Sequence, residues 1–116
     1  MDIQERHIGD AVVLDLDGQL TLGGNSARLK DKINSLLHQG ARQLFINLEE
    51  ISYIDSGGLG QLVASFTAVA RQGGSLKLFN LGKQSKDLLA ITKLIMVFDT
   101  YASEDDALQS AGQGGA

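Results

Sequence analysis

The 116-residue sequence contains no cysteine, no proline and no tryptophan. Without cysteine it cannot form disulfides, thiolate zinc sites or a thiol nucleophile. Its two histidines, His7 and His38, are too few for an imidazole-rich metal site. We therefore predict no metal and no cofactor. The missing proline fits helices that are joined by glycine-containing turns.

Long hydrophobic runs and a surplus of basic residues are also missing. No apolar run approaches the roughly 20 residues that a membrane span needs. Residues 1–5 lack a basic region followed by a hydrophobic stretch. The formal charge is −4, the pI is near 4.9, and the basic residues are scattered, whereas a nucleic-acid interface needs Lys and Arg gathered on one face. We expect a cytoplasmic protein that binds neither membranes nor nucleic acids.

What is present suits one folded domain. Apolar residues make up 43% of the chain and charged residues 21%, which is a globular balance. The length is that of one ordinary domain, and we see neither internal repeats nor a linker. We predict a domain over residues 1–111 and a disordered tail over 112–116, because the glycine-rich tail has nothing to bury.

The hydrophobic pattern predicts the element order β-β-α-β-α-β-α-β-α. Gly9-Asp10 suits a tight turn between the first two strands, and a loop is predicted over 17–24. Asn25 or Ser26 can cap the first helix, which Gly40 would end. Strands between helices imply parallel crossovers. We thus predict an α/β fold whose mixed sheet starts with a hairpin and carries about four helices. The predicted strands cover 3–7, 11–16, 43–48, 75–81 and 97–101. The later helices are predicted from a helical stripe over 59–70, which Gly73-Gly74 closes, and over 85–93 and 103–110.

The most informative segment is 46–63, I-N-L-E-E-I-S-Y-I-D-S-G-G-L-G-Q-L-V. It predicts a buried strand, a polar connection and a glycine-rich turn that opens a helix. Ser56 is predicted to be the N-cap, accepting a hydrogen bond from the amide of Gly58 or Leu59. The glycines that follow leave the Ser56 hydroxyl accessible.

The residues of this segment leave several functions open. Ser56 could serve purely as a helix cap. The helix N-terminus could bind phosphate, although neither G-x-G-x-x-G nor the Walker pattern is present. A serine hydrolase is excluded. Trypsin-like proteases carry a glycine before D-S-G-G, whereas this chain has Ile54 there, and the G-x-S-x-G elbow is also missing. Recognition by a protein partner is the remaining interpretation.

The segment resembles the signature of the STAS-domain anti-sigma factor antagonists, which are bacterial partner-switching regulators. That signature is a strand ending in D-S-[ST]-G-[LI]-G before a helix. The flanking pattern follows the same family order: G-Q-L-T at 18–21, N-L-E-E at 47–50, Q-G-G at 72–74, L-K-L at 76–78 and L-L-A-I-T-K-L-I-M-V-F-D at 88–99. The resemblance covers the chain from Ile3 to about Leu108.

The resemblance implies a protein that binds and does not catalyse. An unphosphorylated antagonist binds an anti-sigma factor that is also a serine kinase, and so releases a sigma factor. The kinase then phosphorylates the motif serine, here Ser56, and a PP2C-type phosphatase resets the switch. The residues implied in partner binding are Thr21, Asp55, Ser56, Gly57, Gly58 and Leu59.

Two positions depart from the family pattern. Gly57 stands where the family commonly has Ser or Thr. Thr21 stands where an acidic residue is common, and what looks like a one-residue insertion follows at 23–25. We expect the loop around Thr21 to lie beside Ser56.

Two alternative functions stay open from the sequence. One is a STAS domain that does not switch partners, such as a scaffold or an accessory subunit of a transport system. The other is a small module that binds a nucleotide or another ligand at the helix start. We expect a monomer or a weak dimer in each case.

Overall fold

The computed structural model describes residues 1–22 and 26–114 of the chain. Its order of elements is the predicted one, and the prediction of about four helices is confirmed within these residues. In chain order the elements are β1 (Asp2–Ile8), β2 (Ala11–Leu20), α1 (Ser26–His38), β3 (Gln43–Ile54), α2 (Ser56–Arg71), β4 (Ser75–Phe79), α3 (Lys83–Ile91), a 3-10 turn (Leu94–Met96), β5 (Asp99–Tyr101) and α4 (Glu104–Gly114).

The strands form one sheet in the order β1-β2-β3-β4-β5. β1 and β2 form the predicted antiparallel hairpin, and every later pair is parallel. The sheet advances in one direction along the chain, and parallel crossovers are right-handed. Consequently α1, α2 and α3 lie on one face of the sheet, and α4 packs on the other.

Side-chain alternation along the strands divides the core in two. In β2, Val12, Leu14 and Leu16 point towards α1 to α3 and belong to the larger core. Ala11 and Val13 point the other way and pack in a smaller core with Phe45, Phe79 and Ala107 of α4. Both faces of the central strands are therefore buried, which is typical of parallel sheets with helices on both sides.

β1 is longer than predicted by one residue at each end, and β2 and β3 extend well beyond their predicted ends. β2 continues to Leu20 where a loop was expected from Asp17, and β3 continues to Ile54. Polar residues such as Asp17 and Glu50 interrupt the hydrophobic alternation, but their backbones still pair. Two register shifts, one at Asp15/Asp17 and one at Gly18/Gln19, absorb the irregularity. The extension brings the ends of β2 and β3 together immediately before Ser56.

Smaller differences concern element ends. The last strand is shorter than predicted because the amides of Val97 and Phe98 bond the Leu94 carbonyl, at 2.9 and 3.1 Å, and so belong to the 3-10 turn before it. α4 runs to Gly114 instead of about Ser110, and Ser103 caps it, since Ser103 Oγ accepts from the Asp106 amide at 3.2 Å. Disorder over 112–116 stays a prediction, and Gly115 and Ala116 lie outside the described residues. So do the insertion at 23–25 and the capping side chain predicted for α1. Among the residues described, we find no helix with the length and apolar character to cross a membrane.

A polar network ties α4 to the sheet. Arg6 on β1 binds both carboxylate oxygens of Asp15, at 2.6 and 3.0 Å, and also pairs with Glu104 in the first turn of α4. Asn47 on β3 donates to Asp15 at 2.8 Å. The hydrogen bond from Arg6 lowers the pKa of Asp15, burial opposes the shift, and the bond from Asn47 adds to it.

We predict that Asp15→Asn lowers the free energy of unfolding at pH 7 by about 1 to 3 kcal/mol, because Arg6 loses its charged partner. The pKa of Asp15 is lower in the folded state than the ordinary value of about 3.9. The ionised Asp15 therefore stabilises the folded state at pH values above its ordinary pKa, and this stabilisation is lost as the pH falls through its folded-state pKa. Urea unfolding should show the gap between parent and variant closing below about pH 4.

Asp17→Asn is the matched control on the same strand. Asp17 is exposed and pairs with no basic side chain among the described residues. This variant should unfold like the parent at every pH. If Asp15→Asn lowers the free energy of unfolding by the same amount at pH 7 and in acid, the charge of Asp15 is not the source of the stabilisation.

Candidate functional site

The candidate site lies where β2 and β3 end. Leu20 and Ile54 are the last paired residues of these parallel strands. Asp55 follows β3 directly, and α2 begins at Ser56. In open α/β sheets the carboxyl ends of the strands are where ligands and partners usually bind.

Asp55, not Ser56, is the N-cap of α2. Its backbone is extended, with φ −98° and ψ −179°, and its Oδ1 accepts from the Gly58 amide at 2.7 Å. The predicted capping role of Ser56 is therefore wrong. The strand stays extended through Asp55, so Ser56 already occupies the first helical position, where a side chain does not face the orphan amides. Asp is as good a cap as Ser.

The Asp55 carboxylate also holds the loop that follows β2. Leu22 N donates to Oδ1 at 3.1 Å and to Oδ2 at 3.2 Å. In return, Asp55 N donates to the Leu20 carbonyl at 3.2 Å. The expectation that the Thr21 loop lies beside Ser56 is thus confirmed. Thr21 itself is partly buried between these two anchored residues.

Ser56 is exposed at the start of the helix. Among the hydrogen bonds between described residues, none involves its hydroxyl. Capping by Asp55 leaves the hydroxyl free of a structural role. Ser56 is therefore accessible, as predicted, although a different residue provides the cap.

Gly57 and Gly58 permit a close approach between β2 and α2. A Cβ on Gly58 would overlap the Leu20 carbonyl, and a Cβ on Gly57 would overlap the Leu22 side chain. A Cβ on Gly60 would meet open space. Two of the three glycines in the motif are thus explained by packing.

Leu59 is 4% exposed and packs in the larger core. Gly58 is buried as well. Of the residues that the resemblance implied in partner binding, these two support the loop from below. Asp55, Ser56 and Gly57 form its accessible part.

Sequence reasoning missed Gln84 at the start of α3. Its side-chain amide donates to the Ile54 carbonyl at 2.8 Å and accepts from the Ile54 amide at 3.0 Å. These two bonds fix α3 against the residue that precedes Asp55. The contact joins positions 30 residues apart, and no local motif marks it in the sequence.

The first turn of α2 is not an open phosphate cradle. The Gly58 amide is taken by the Asp55 carboxylate, and the Leu59 amide bonds the Asp55 carbonyl at 2.9 Å. Phosphate-binding turns need several free amides that point at the anion. The geometry therefore disfavours nucleotide binding by this loop.

Comparison with known proteins identifies relatives over most of the chain. The sequence model of the STAS domain matches residues 2–107. The anti-sigma-B factor antagonist of Bacillus subtilis is 43% identical over 81 residues, which are 70% of this chain and 73% of that protein.

Solved structures share the fold. The Bacillus cell fate determinant SpoIIAA in its phosphorylated form matches with a TM-score of 0.74 at 22% identity, over 95% of this chain and 99% of that one. A sulfate transporter family protein from Wolinella succinogenes matches with a TM-score of 0.80 at 16% identity, over 91% and 88% of the two chains. The predicted mixed α/β fold is confirmed, and the fold is common to regulators and transporters.

Proposed function

The chain belongs to the STAS domain family, and we propose that it is an anti-sigma factor antagonist that is switched by phosphorylation of Ser56. In its unphosphorylated form it binds an anti-sigma factor that is also a serine kinase, and this binding releases a sigma factor. The 43% identity to the anti-sigma-B factor antagonist of B. subtilis supports the role. The prediction that the chain is not an enzyme agrees with this relative, since an antagonist acts by binding.

The observation that carries the proposal is that Asp55 makes the structural hydrogen bonds at the start of α2 and Ser56 makes none of them. Asp55 caps α2 and anchors the neighbouring loop. Ser56 is exposed and its hydroxyl has no hydrogen bond among the described residues. A hydroxyl that the fold does not use can be modified without breaking the fold, which is what a reversible switch requires.

The chemistry belongs to the partners. The kinase transfers the γ-phosphoryl group of ATP to Oγ of Ser56, ADP leaves, and the hydroxyl proton is lost. A PP2C-type phosphatase hydrolyses the ester with water and restores the hydroxyl. This chain contributes an accessible acceptor at a rigid helix start.

Electrostatics then gives the phosphorylated and unphosphorylated forms different affinities for the partner. Phosphate adds about 1.5 to 2 negative charges at pH 7. At the N-terminus of the 16-residue helix α2 the dipole favours it, by roughly 0.3 to 1 kcal/mol. A partner surface that closes over Ser56 must instead accept a dianion beside the Asp55 carboxylate, and like charges brought together at an interface cost several kcal/mol.

The alternatives have less support. The transporter-family match is at 16% identity and concerns the fold. For nucleotide binding, the amides of Gly58 and Leu59 are already occupied. Titration with nucleotides should release no heat if the chain is a docking domain, whereas a nucleotide-binding module would give a saturable signal.

We predict that Ser56 is the sole acceptor for the cognate kinase. Ser65 is 1% exposed, the Ser52 hydroxyl donates to the Gly18 carbonyl at 3.2 Å, and Thr21 is partly buried. Incubation with the serine-kinase anti-sigma factor of the same organism and ATP, followed by mass spectrometry, should place one phosphate on Ser56.

Ser56→Ala should abolish incorporation, and Ser52→Ala is the matched control that should leave it unchanged. Phosphate on Ser52, Thr21 or Ser65 with Ser56 unmodified would overturn the assignment.

A further inference from the structure

Leu22 is an exposed apolar residue at the edge of the Ser56 loop. Leu22 is 71% exposed, although its side chain lies within contact distance of Gly57. Tyr53, near the end of β3, is also 46% exposed at this end of the sheet. Isolated exposed leucines are ordinary, so exposure alone does not give Leu22 a role.

The way in which Leu22 is held distinguishes it from an ordinary surface residue. Its amide donates to both oxygens of Asp55, at 3.1 and 3.2 Å. Its Cα and Cβ fill the space that a side chain at position 57 would need, with Leu22 Cα 3.0 Å from a Cβ placed there. Leu22 Cδ1 also lies 3.1 Å from that position. The backbone and one edge of the side chain are thus held against Gly57, while most of the residue stays exposed.

An apolar side chain fixed in this way loses little conformational freedom when a partner covers it, and such preorganisation raises affinity. Its position is also continuous with the phosphorylation site, since Gly57 is the residue after Ser56. A partner that encloses Ser56 must therefore meet Leu22.

We propose that Leu22 is a specificity-determining contact, which enters an apolar recess of the anti-sigma factor beside the point that receives the Ser56 hydroxyl. The inference rests on the proposed function and names one feature of its partner. It also explains Gly57: a side chain at that position would displace Leu22, so the two residues act as one unit.

The test measures the affinity of the full chain for the purified serine-kinase anti-sigma factor of the same organism. Leu22→Ser keeps the Cβ and removes the apolar tip, and should weaken binding about tenfold or more. Leu22→Met keeps an apolar side chain and should bind within about threefold of the parent. Ile8→Ser is the matched control, because Ile8 is 39% exposed at the hairpin, at the opposite end of the sheet.

A double-mutant cycle tests the link to Gly57. Gly57→Ser should weaken binding in the parent, but by much less in the Leu22→Ser background, where the contact is already lost. Thermal melts of every variant separate lost contacts from lost folding.

The outcomes distinguish this inference from the proposed function. If the parent binds no such anti-sigma factor, the proposed function fails and this inference fails with it. If the parent binds and folded Leu22→Ser binds equally well, or if Ile8→Ser is as harmful, the role of Leu22 alone is refuted. If Gly57→Ser weakens binding equally in the parent and in Leu22→Ser, the claim that Leu22 and Gly57 act together is refuted.

Discussion

Phosphorylation of Ser56 is expected to weaken binding to the anti-sigma factor by about tenfold or more, or about 1.4 kcal/mol, without changing the fold. The hydroxyl makes no hydrogen bond among the described residues, so none of these bonds is lost. The new charge lies at the favourable end of α2, whose buried face includes Leu59 and Leu62. The partner surface has no such compensation.

The measurement compares the two purified forms. Circular dichroism spectra and melting curves should nearly superimpose, while titrations with the anti-sigma factor should differ by about the stated factor. Raising the salt concentration should narrow the difference if the charges stay partly exposed, because the Debye length is about 8 to 10 Å at moderate ionic strength.

Two variants extend the test without a kinase. Ser56→Ala should fold and bind like the unphosphorylated parent, because Asp55 keeps the cap, and surface changes of this kind stay within about 0.5 kcal/mol. Ser56→Asp should fold normally and bind weakly. A phosphorylated form that melts far lower, or a complex that ignores phosphate, would show that the electrostatic block is the wrong mechanism.

The general fold could be predicted because hydrophobic periodicity and glycine positions are local signals. The turn predicted at Gly9-Asp10, for example, does lie between β1 and β2. The ends of β2 and β3 were missed because backbone pairing continues through polar residues such as Asp17 and Glu50. Pairing depends on the neighbouring strand, which a local pattern does not show.

The site could be predicted in part for the same reason. An accessible Ser56 after a strand follows from the local glycine-rich sequence. The choice of Asp55 as the cap depends on the residue at which the strand stops being extended. The bonds that Leu22 makes to Asp55, and Gln84 to Ile54, join residues about 30 positions apart, and the fold alone brings them together.

The packing of β2 against α2 explains which glycines of the motif are required. A Cβ on Gly58 would overlap the backbone carbonyl of Leu20. That carbonyl cannot move freely, because it accepts from Asp55 N and Leu20 is paired with Ile54. Gly60 lies two residues further along the same helix, with nothing near its Cβ position.

Gly58→Ala and Gly60→Ala should therefore have opposite effects on stability. Overpacking against the backbone should make Gly58→Ala less stable by about 3 kcal/mol, a fall of about 10 °C or more in melting temperature. Gly60→Ala should raise the free energy of unfolding by about 0.5 to 1 kcal/mol, because alanine is more favourable than glycine at an exposed helix position. Urea and thermal unfolding of the two variants would measure both values. Similar effects at the two positions would mean that helix propensity, and not the approach of Leu20, decides the cost at Gly58.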